Sequence, residues 1–362
     1  MIPLVKPYLP SPKDLMPRLE EIIYSGYIAE GEANATFEKK LSELIENPYC
    51  LTLNSGTAAL HIALTMLGIN ENHEVISTPL TAEPTNTTIA LTGAKVVFAD
   101  VEFETGLISP ESIESKITEK TKAIMVVHYA GMVCDMDRIN AISEKYNIPV
   151  IEDAAHAFLA QYQGKYVGNN AKFTCFSFQA IKHLTTIDGG LLCLNSEEDY
   201  LRAKKLRWFG LDKKVPRLES DITEAGFKYH MNNVNATVGL VQLEHLEQNV
   251  MQYIKNGQFF DEHLKDISGV TLIPYHKNTA PSYWLYTIKV DRRADFIDMM
   301  TKNGIVASPL HLRNDRHSVF NAKNLNLPNL DSFYEDFVHI PCGWWIENED
   351  RFKIVDLIKK GW

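Results

Sequence analysis

What is scarce in this 362-residue chain narrows its identity first. It has only five cysteines, Cys50, Cys134, Cys175, Cys193 and Cys342, an odd number with no C-x-x-C spacing. Most lie in apolar runs, so the expectation is buried, reduced thiols in a cytoplasmic protein, not a disulfide framework or a thiolate metal site. No apolar run approaches a membrane-spanning length, and Pro3 and Pro7 interrupt the start, so neither a transmembrane helix nor a signal peptide is indicated. Positive charge is also short: 36 Lys and Arg against 46 Asp and Glu give a net −10. That balance argues against a nucleic-acid or anionic-membrane surface but leaves room for a local phosphate pocket. No G-x-G-x-x-G follows the early strands, which counts against a nicotinamide oxidoreductase. No histidine pair has metal-ligand spacing with supporting carboxylates, so no metal is expected. Repeats and low-complexity tracts are missing as well.

What is present is enough apolar material, 45% of residues, to bury a large core. From Tyr49 to about Leu194, short aliphatic runs alternate with helical patterns: Tyr49–Leu53, Val75–Ser77, Val96–Ala99, Ala123–His128, Pro149–Glu152, Phe173–Phe178 and Leu191–Leu194. This rhythm predicts an α/β fold with a mostly parallel central sheet covered on both faces. A long helical pattern from Asn232 to about Leu264 reads as a spine between domains. Beyond it, Tyr283–Val290 reads as a strand and Ala294–Asn303 as a helix ending at Gly304. Val319 onward reads as loops and short helices, closed by a helix near Glu349–Lys360. The expected organisation is a large domain over residues 12–245 and a smaller α+β domain over 246–362, joined by the N-terminal segment 1–11.

Three motifs carry chemistry. Asn54-Ser55-Gly56-Thr57-Ala58-Ala59 follows an apolar strand and opens a helix. Helix N-termini offer free N–H groups and a positive dipole end, and glycine lets an anion approach, although Ser55 is equally an ordinary N-cap. Val150-Ile151-Glu152-Asp153-Ala154-Ala155-His156 ends a strand in carboxylates, where open α/β sheets bind ligands. Asp153 there can hold a pyridinium nitrogen protonated and His156 can reach a ring hydroxyl; a capping Asp with a packed His is the alternative. Phe176-Ser177-Phe178-Gln179-Ala180-Ile181-Lys182 leads into Asp188-Gly189-Gly190 and another strand. It places a hydroxyl and an amine near the same strand end, and a lysine amine can form a Schiff base with a carbonyl cofactor.

The three together, in this order, resemble the DegT/DnrJ/EryC1/StrS family of pyridoxal-phosphate (PLP) sugar aminotransferases, within the aspartate-aminotransferase fold (fold type I). Gly31–Phe37, Gly239-Leu240-Val241-Gln242-Leu243 and His339-Ile340-Pro341 extend the resemblance over nearly the whole chain. It implies that Lys182 forms the Schiff base and shuttles protons, and that Asp153 partners the pyridine nitrogen. Ser177, Gly56 and Thr57 would bind the phosphate, with His156 beside the ring hydroxyl. It implies a homodimer with shared active sites, an amino-acid donor such as L-glutamate, and a keto-sugar acceptor, commonly nucleotide-linked, in amino-sugar and surface-polysaccharide biosynthesis. The cofactor would alternate between PLP and its amine form, PMP.

The chain departs from the family in places. Ala82 stands where many members carry an aromatic residue that stacks on the cofactor, and Lys228-Tyr229-His230-Met231 replaces an Asn-x-Arg-Met sequence that reaches the neighbouring subunit's phosphate. Lys228 and His230 are the candidates for that task. His311 and Arg313, in Pro309–Arg316, and Tyr27 are candidate substrate contacts, although Asn314–Asp315 also reads as a polar turn. Three rival readings remain on the same scaffold: a keto-sugar dehydratase, in which the resemblance implies histidine in place of lysine; an aminotransferase acting on a sugar without a nucleotide; and a non-catalytic PLP-binding regulator.

Overall fold

The computed structural model describes residues 1–322 and 325–362; the part of the expected C-terminal loop at 323 and 324 lies outside them. Two helices, α1 (Pro12–Tyr24) and α2 (Glu32–Ile45), precede the alternating region. That region runs β1 (Cys50–Leu53), α3 (Gly56–Met66), β2 (Glu74–Ser77), α4 (Glu83–Leu91), β3 (Lys95–Phe98), α5 (Pro110–Ser115), β4 (Thr121–Val127), α6 (Met136–Tyr146) and β5 (Val150–Asp153). A short hairpin, β6 (Gln161–Tyr162) and β7 (Lys165–Tyr166), leads to β8 (Phe173–Ser177), β9 (Gly190–Leu194) and α7 (Glu197–Arg207).

The seven long strands form one sheet in the order β1-β9-β8-β5-β4-β2-β3. Neighbours from β8 through β3 are parallel, and β9 runs antiparallel to both β8 and β1. Side-chain alternation splits each strand between two cores. Leu51, Leu53, Ala123, Met125 and Ile151 pack with α3 on one face, while Cys50, Ile124, Val126 and Val150 face the other core. Burial on both faces explains why these strands read as unbroken apolar runs. The carboxyl ends of β5 and β8 therefore open at the same edge as the start of α3.

The spine helix α8 (Asn233–His263) begins under an Asn232 cap, whose side chain accepts the N–H of Asn235 at 2.8 Å. Its N-terminal stretch through Val250 contributes Ala236, Leu246 and Val250 to the core below the sheet. Its second half gives Tyr253 and Phe260 to a separate core. That second core covers β10 (Val270–Leu272), β12 (Tyr286–Val290) and β13 (Phe337–Ile340), paired in the order β10-β12-β13, together with α9 (Arg293–Lys302) and α11 (Asn348–Lys359). The short strand β11 (Thr279–Ala280) joins the β6–β7 hairpin, and α10 (Pro328–Asp336) precedes β13. The N-terminal segment is tied here: Ile2 bridges Ile305, and the indoles of Trp345 and Trp344 donate to the carbonyls of Pro3 and Lys6.

Two sequence expectations need correction. The strand expected from Tyr283 starts only at Tyr286, because Tyr283 takes a left-handed backbone (φ 51°) and Trp284 turns toward the large sheet. The stretch expected as loops and short helices contains β13, whose four residues are all buried against β12. A four-residue apolar run is too short to separate strand from loop by its period.

Candidate active site

A cavity of about 350 Å³ lies where β5, β8 and the α3 N-terminus converge, lined among others by Gly56, Thr57, Asp153, His156, Ser177, Lys182 and His311. The structure thus gathers seven of the sequence candidates around one space. Local sequence explains the convergence. Ser55 is extended, and its Oγ accepts the Ala58 N–H at 3.0 Å, which fixes the start of α3. Gly56 and Thr57 carry the first helical N–H groups, which a helix cannot satisfy internally. A Cβ on Gly56 would sit 2.9 Å from Ser177 Cβ, and one on Gly190 would sit 2.3 Å from the Ser55 carbonyl oxygen. Glycine at both positions lets the helix start, the end of β8 and the start of β9 meet closely.

Lys182 lies in the turn between β8 and β9. Its N–H donates to the Gln179 carbonyl, and Thr186 N–H returns to Phe178. Asn235, from the first turn of α8, clamps this turn by donating to the carbonyls of Thr186 and Asp188 at 2.8 and 2.7 Å. The lysine opens on the cavity yet lies deep in the fold. Burial lowers its pKa to about 7 against the opposing pull of Asp153. Asp153 accepts from Thr85 Oγ1 at 2.7 Å and from Ala155 N–H at 3.1 Å. Its pKa is nevertheless raised, because burial outweighs these bonds and the Lys182 charge.

His156 is buried, and its Nδ1 accepts the Ala130 N–H at 3.3 Å, so Nε2 carries the proton toward the cavity. Burial and the neighbouring Lys182 charge hold its pKa well below the usual histidine value. His311 is likewise held neutral, its pKa lowered to about 4 chiefly by burial, with Glu83 opposing. Its Nδ1 is 4.0 Å from Glu83, and its Nε2 is a buried nitrogen with no partner among the described residues.

Four candidates lie outside this cavity in the single chain. Lys228 is exposed, and its carbonyl accepts from Asn54 Nδ2. His230 packs edge-on against Trp208 at 4.3 Å; burial and then Lys213, Arg207 and Lys228 lower its pKa to about 4. Tyr27 is 74% exposed, and its carbonyl accepts from Asn233. Arg313 is buried and binds Asp315 through two nitrogens at 2.8 Å, with Asp331 on a third, so all three nitrogens of its guanidinium already hold carboxylates of the fold. The polar-turn reading of this segment is the one the geometry follows.

Sequence reasoning missed Thr85, Glu83 and Trp284. Thr85 and Glu83 follow Ala82 at the start of α4, where Thr is an ordinary helix residue by pattern. Trp284 reads as part of a strand, and nothing local shows that it lines the cavity.

A desolvated lysine, a buried carboxylate and a helix N-terminus around one cavity, at the carboxyl edge of this sheet, define the class: a fold type I PLP enzyme. The chain belongs to the DegT/DnrJ/EryC1/StrS aminotransferase family, whose model matches residues 11–359. It is similar over its whole length to AtS13 from Actinomadura melliaura, with 38% identity, a TM-score of 0.97 and 99% of that chain covered. The sugar aminotransferase CalS13 from Micromonospora echinospora matches at 34% identity and a TM-score of 0.96, with both chains covered completely. Spr1654 from Streptococcus pneumoniae, in its PLP form, matches at 26% identity and a TM-score of 0.91, covering 99% of this chain and 98% of that one. PLP is the cofactor of this class. The cavity fits it: two glycines let the helix start, with its free N–H groups, close against the strand ends, a carboxylate lies within the charge field of an amine, and one imidazole nitrogen has no partner among the described residues. Among the described residues no helix is long and apolar enough to cross a membrane.

Proposed function

We propose that this enzyme moves an amino group from L-glutamate to a keto sugar, commonly nucleotide-linked, in amino-sugar and surface-polysaccharide biosynthesis, and that it works as a cytoplasmic homodimer. The observation that carries the reading is the placement of Lys182 in one cavity with Asp153, His156 and the α3 N-terminus. PLP supplies an electron sink when bound. The protein residues hold it and move protons. Lys182 would be the cofactor's covalent attachment point and the base for the donor's α-proton; a pKa near 7 would leave its Nζ free to accept that proton. Asp153 keeps the ring nitrogen protonated, with Thr85 fixing the carboxylate's orientation. The N–H groups of Gly56 and Thr57 and the Ser177 hydroxyl hold the phosphate. His156 donates Nε2–H to the ring hydroxyl, and His311 presents its free Nε2 to the substrate. Lys228, His230 and Tyr27, which do not line this cavity in one chain, serve the site of the second subunit.

Purified protein loaded with PLP tests this reading. Adding L-glutamate should abolish the absorbance band of the lysine-bound cofactor and release 2-oxoglutarate, and a panel of keto sugars should restore the band. No lysine-bound band and no 2-oxoglutarate would reject it.

A further inference from the structure

One wall of the cavity belongs to no motif. Trp284 is 1% exposed and enters from the connection that leads into β12. Its ring lies 3.9 Å from the His156 imidazole, with the planes 22° apart, and its centroid is 3.8 Å from Lys182 Nζ. Its Nε1–H donates at 2.9 Å to the carbonyl of Ile181, the residue preceding Lys182. The indole is therefore tied at once to the lysine's backbone, to its amine and to the histidine.

The segment bearing Trp284 is held from the other side. Tyr283, in the left-handed region at φ 51°, is an uncommon backbone for an aromatic residue and persists only where surroundings enforce it. Two glycines make room. A Cβ on Gly131 would lie 2.8 Å from the backbone nitrogens of both Tyr283 and Trp284, and one on Gly257 would lie 2.2 Å from the Tyr283 ring. Asp261, one turn further along α8, accepts hydroxyls at 2.8 Å from Tyr283, Tyr275 and Tyr286. Burial, and then the charge of Asp261, raises the pKa of Tyr275 and Tyr286, so these phenols stay protonated as donors.

We propose that Trp284 is a positioning residue that aims Lys182 and His156 at the cofactor, and that the Asp261–tyrosine cluster on α8 holds Trp284 in place. The proposal rests on the reading of Lys182 as the cofactor-bearing residue. The indole face excludes water from the amine while its quadrupole favours the ammonium form, so it tunes as well as aims. The other charged or titratable groups around Lys182 are Asp153 on β5, His156 after it, His183 beside it, Cys175 on β8, whose thiol burial pushes up, and Glu83, His311 and Asp188 around the cavity.

The test is a pH titration of the lysine-bound absorbance band in the holoenzyme and in Trp284→Phe, Tyr283→Phe and Gly257→Ala, with thermal unfolding recorded for each. Trp284→Phe keeps a ring but loses the tether and admits water. Its midpoint should move up by roughly 0.5–1 pH unit, with donor turnover down about tenfold and donor KM within about twofold. Gly257→Ala, whose added methyl would meet the Tyr283 ring first, should shift the midpoint in the same direction, and Tyr283→Phe should do so more weakly. A wild-type midpoint in Trp284→Phe would overturn the proposal, as would a Gly257→Ala protein that loses stability without moving the midpoint. If the wild-type protein shows no lysine-bound band, the Lys182 reading itself fails; a normal wild-type band with unmoved variants removes this proposal alone.

Discussion

Thr85 Oγ1 donates to Asp153 Oδ2 at 2.7 Å, joining the first turn of α4 to the end of β5 beneath the cofactor cavity. The bond orients a buried carboxylate and favours its ionised form, partly offsetting the burial that raises its pKa. Thr85→Val removes the donor while keeping the shape. Cofactor affinity should fall by about tenfold, the equivalent of about 1.4 kcal/mol, measured by equilibrium dialysis of PLP. Unchanged affinity would show that Thr85 is packing alone.

The depressed pKa of Lys182 has a consequence for the protein without cofactor. Its folded value of about 7 lies below the ordinary 10.5. Between these values the unfolded chain holds a proton that the folded chain has released, so this group's contribution to stability rises with pH across that window. Below about 7 the lysine is charged in both states, and the full cost of burying the charge is present. Apo Lys182→Met should therefore unfold at a higher temperature than apo wild type near pH 7, with the gap closing toward pH 10. A gap that stays constant or widens with pH would contradict the assigned shift.

Gly190 makes a tight backbone approach beside the site, with a hypothetical Cβ only 2.3 Å from the Ser55 carbonyl oxygen. Gly190→Ala must push the α3 start away from β9. Urea unfolding should show a loss of about 1–3 kcal/mol, with weaker PLP binding in whatever protein folds. Wild-type values for both would show that the turn can relax.

Arg313 separates a structural from a substrate role. Its removal strands Asp315, half-buried beside it, and leaves the more exposed Asp331 without its partner. Arg313→Met should lower stability by about 2 kcal/mol while leaving substrate KM within about twofold. A large rise in KM at unchanged stability would restore it as a substrate contact.

Much of the central sheet was legible because strands covered on both faces are apolar at every position, as Ile124–Val126 and Ile151 show. Local signals also sufficed for α8, which begins at an Asn cap and runs as a continuous helical pattern. The site motifs were legible because Ser55–Thr57, Asp153 and Ser177–Lys182 each sit where a strand ends. Trp284 and Asp261 were not. Their significance comes from contacts across long sequence separations, Trp284 with Ile181 and Asp261 with Tyr283, that no local period encodes. Arg313 was left open between a substrate contact and a polar turn: Asp315 is close in sequence, but Asp331 becomes evident as its partner only when α10 packs beside its loop.

The central claim is that Lys182 carries the cofactor and moves the proton, and the most direct measurement is a single-turnover reaction of PLP-loaded Lys182→Ala with L-glutamate. The account predicts that the variant still binds PLP through Gly56, Thr57, Ser177 and Asp153, lacks the lysine-bound absorbance band, and releases 2-oxoglutarate at least about a thousandfold more slowly than wild type. Release at a rate near that of wild type would contradict it.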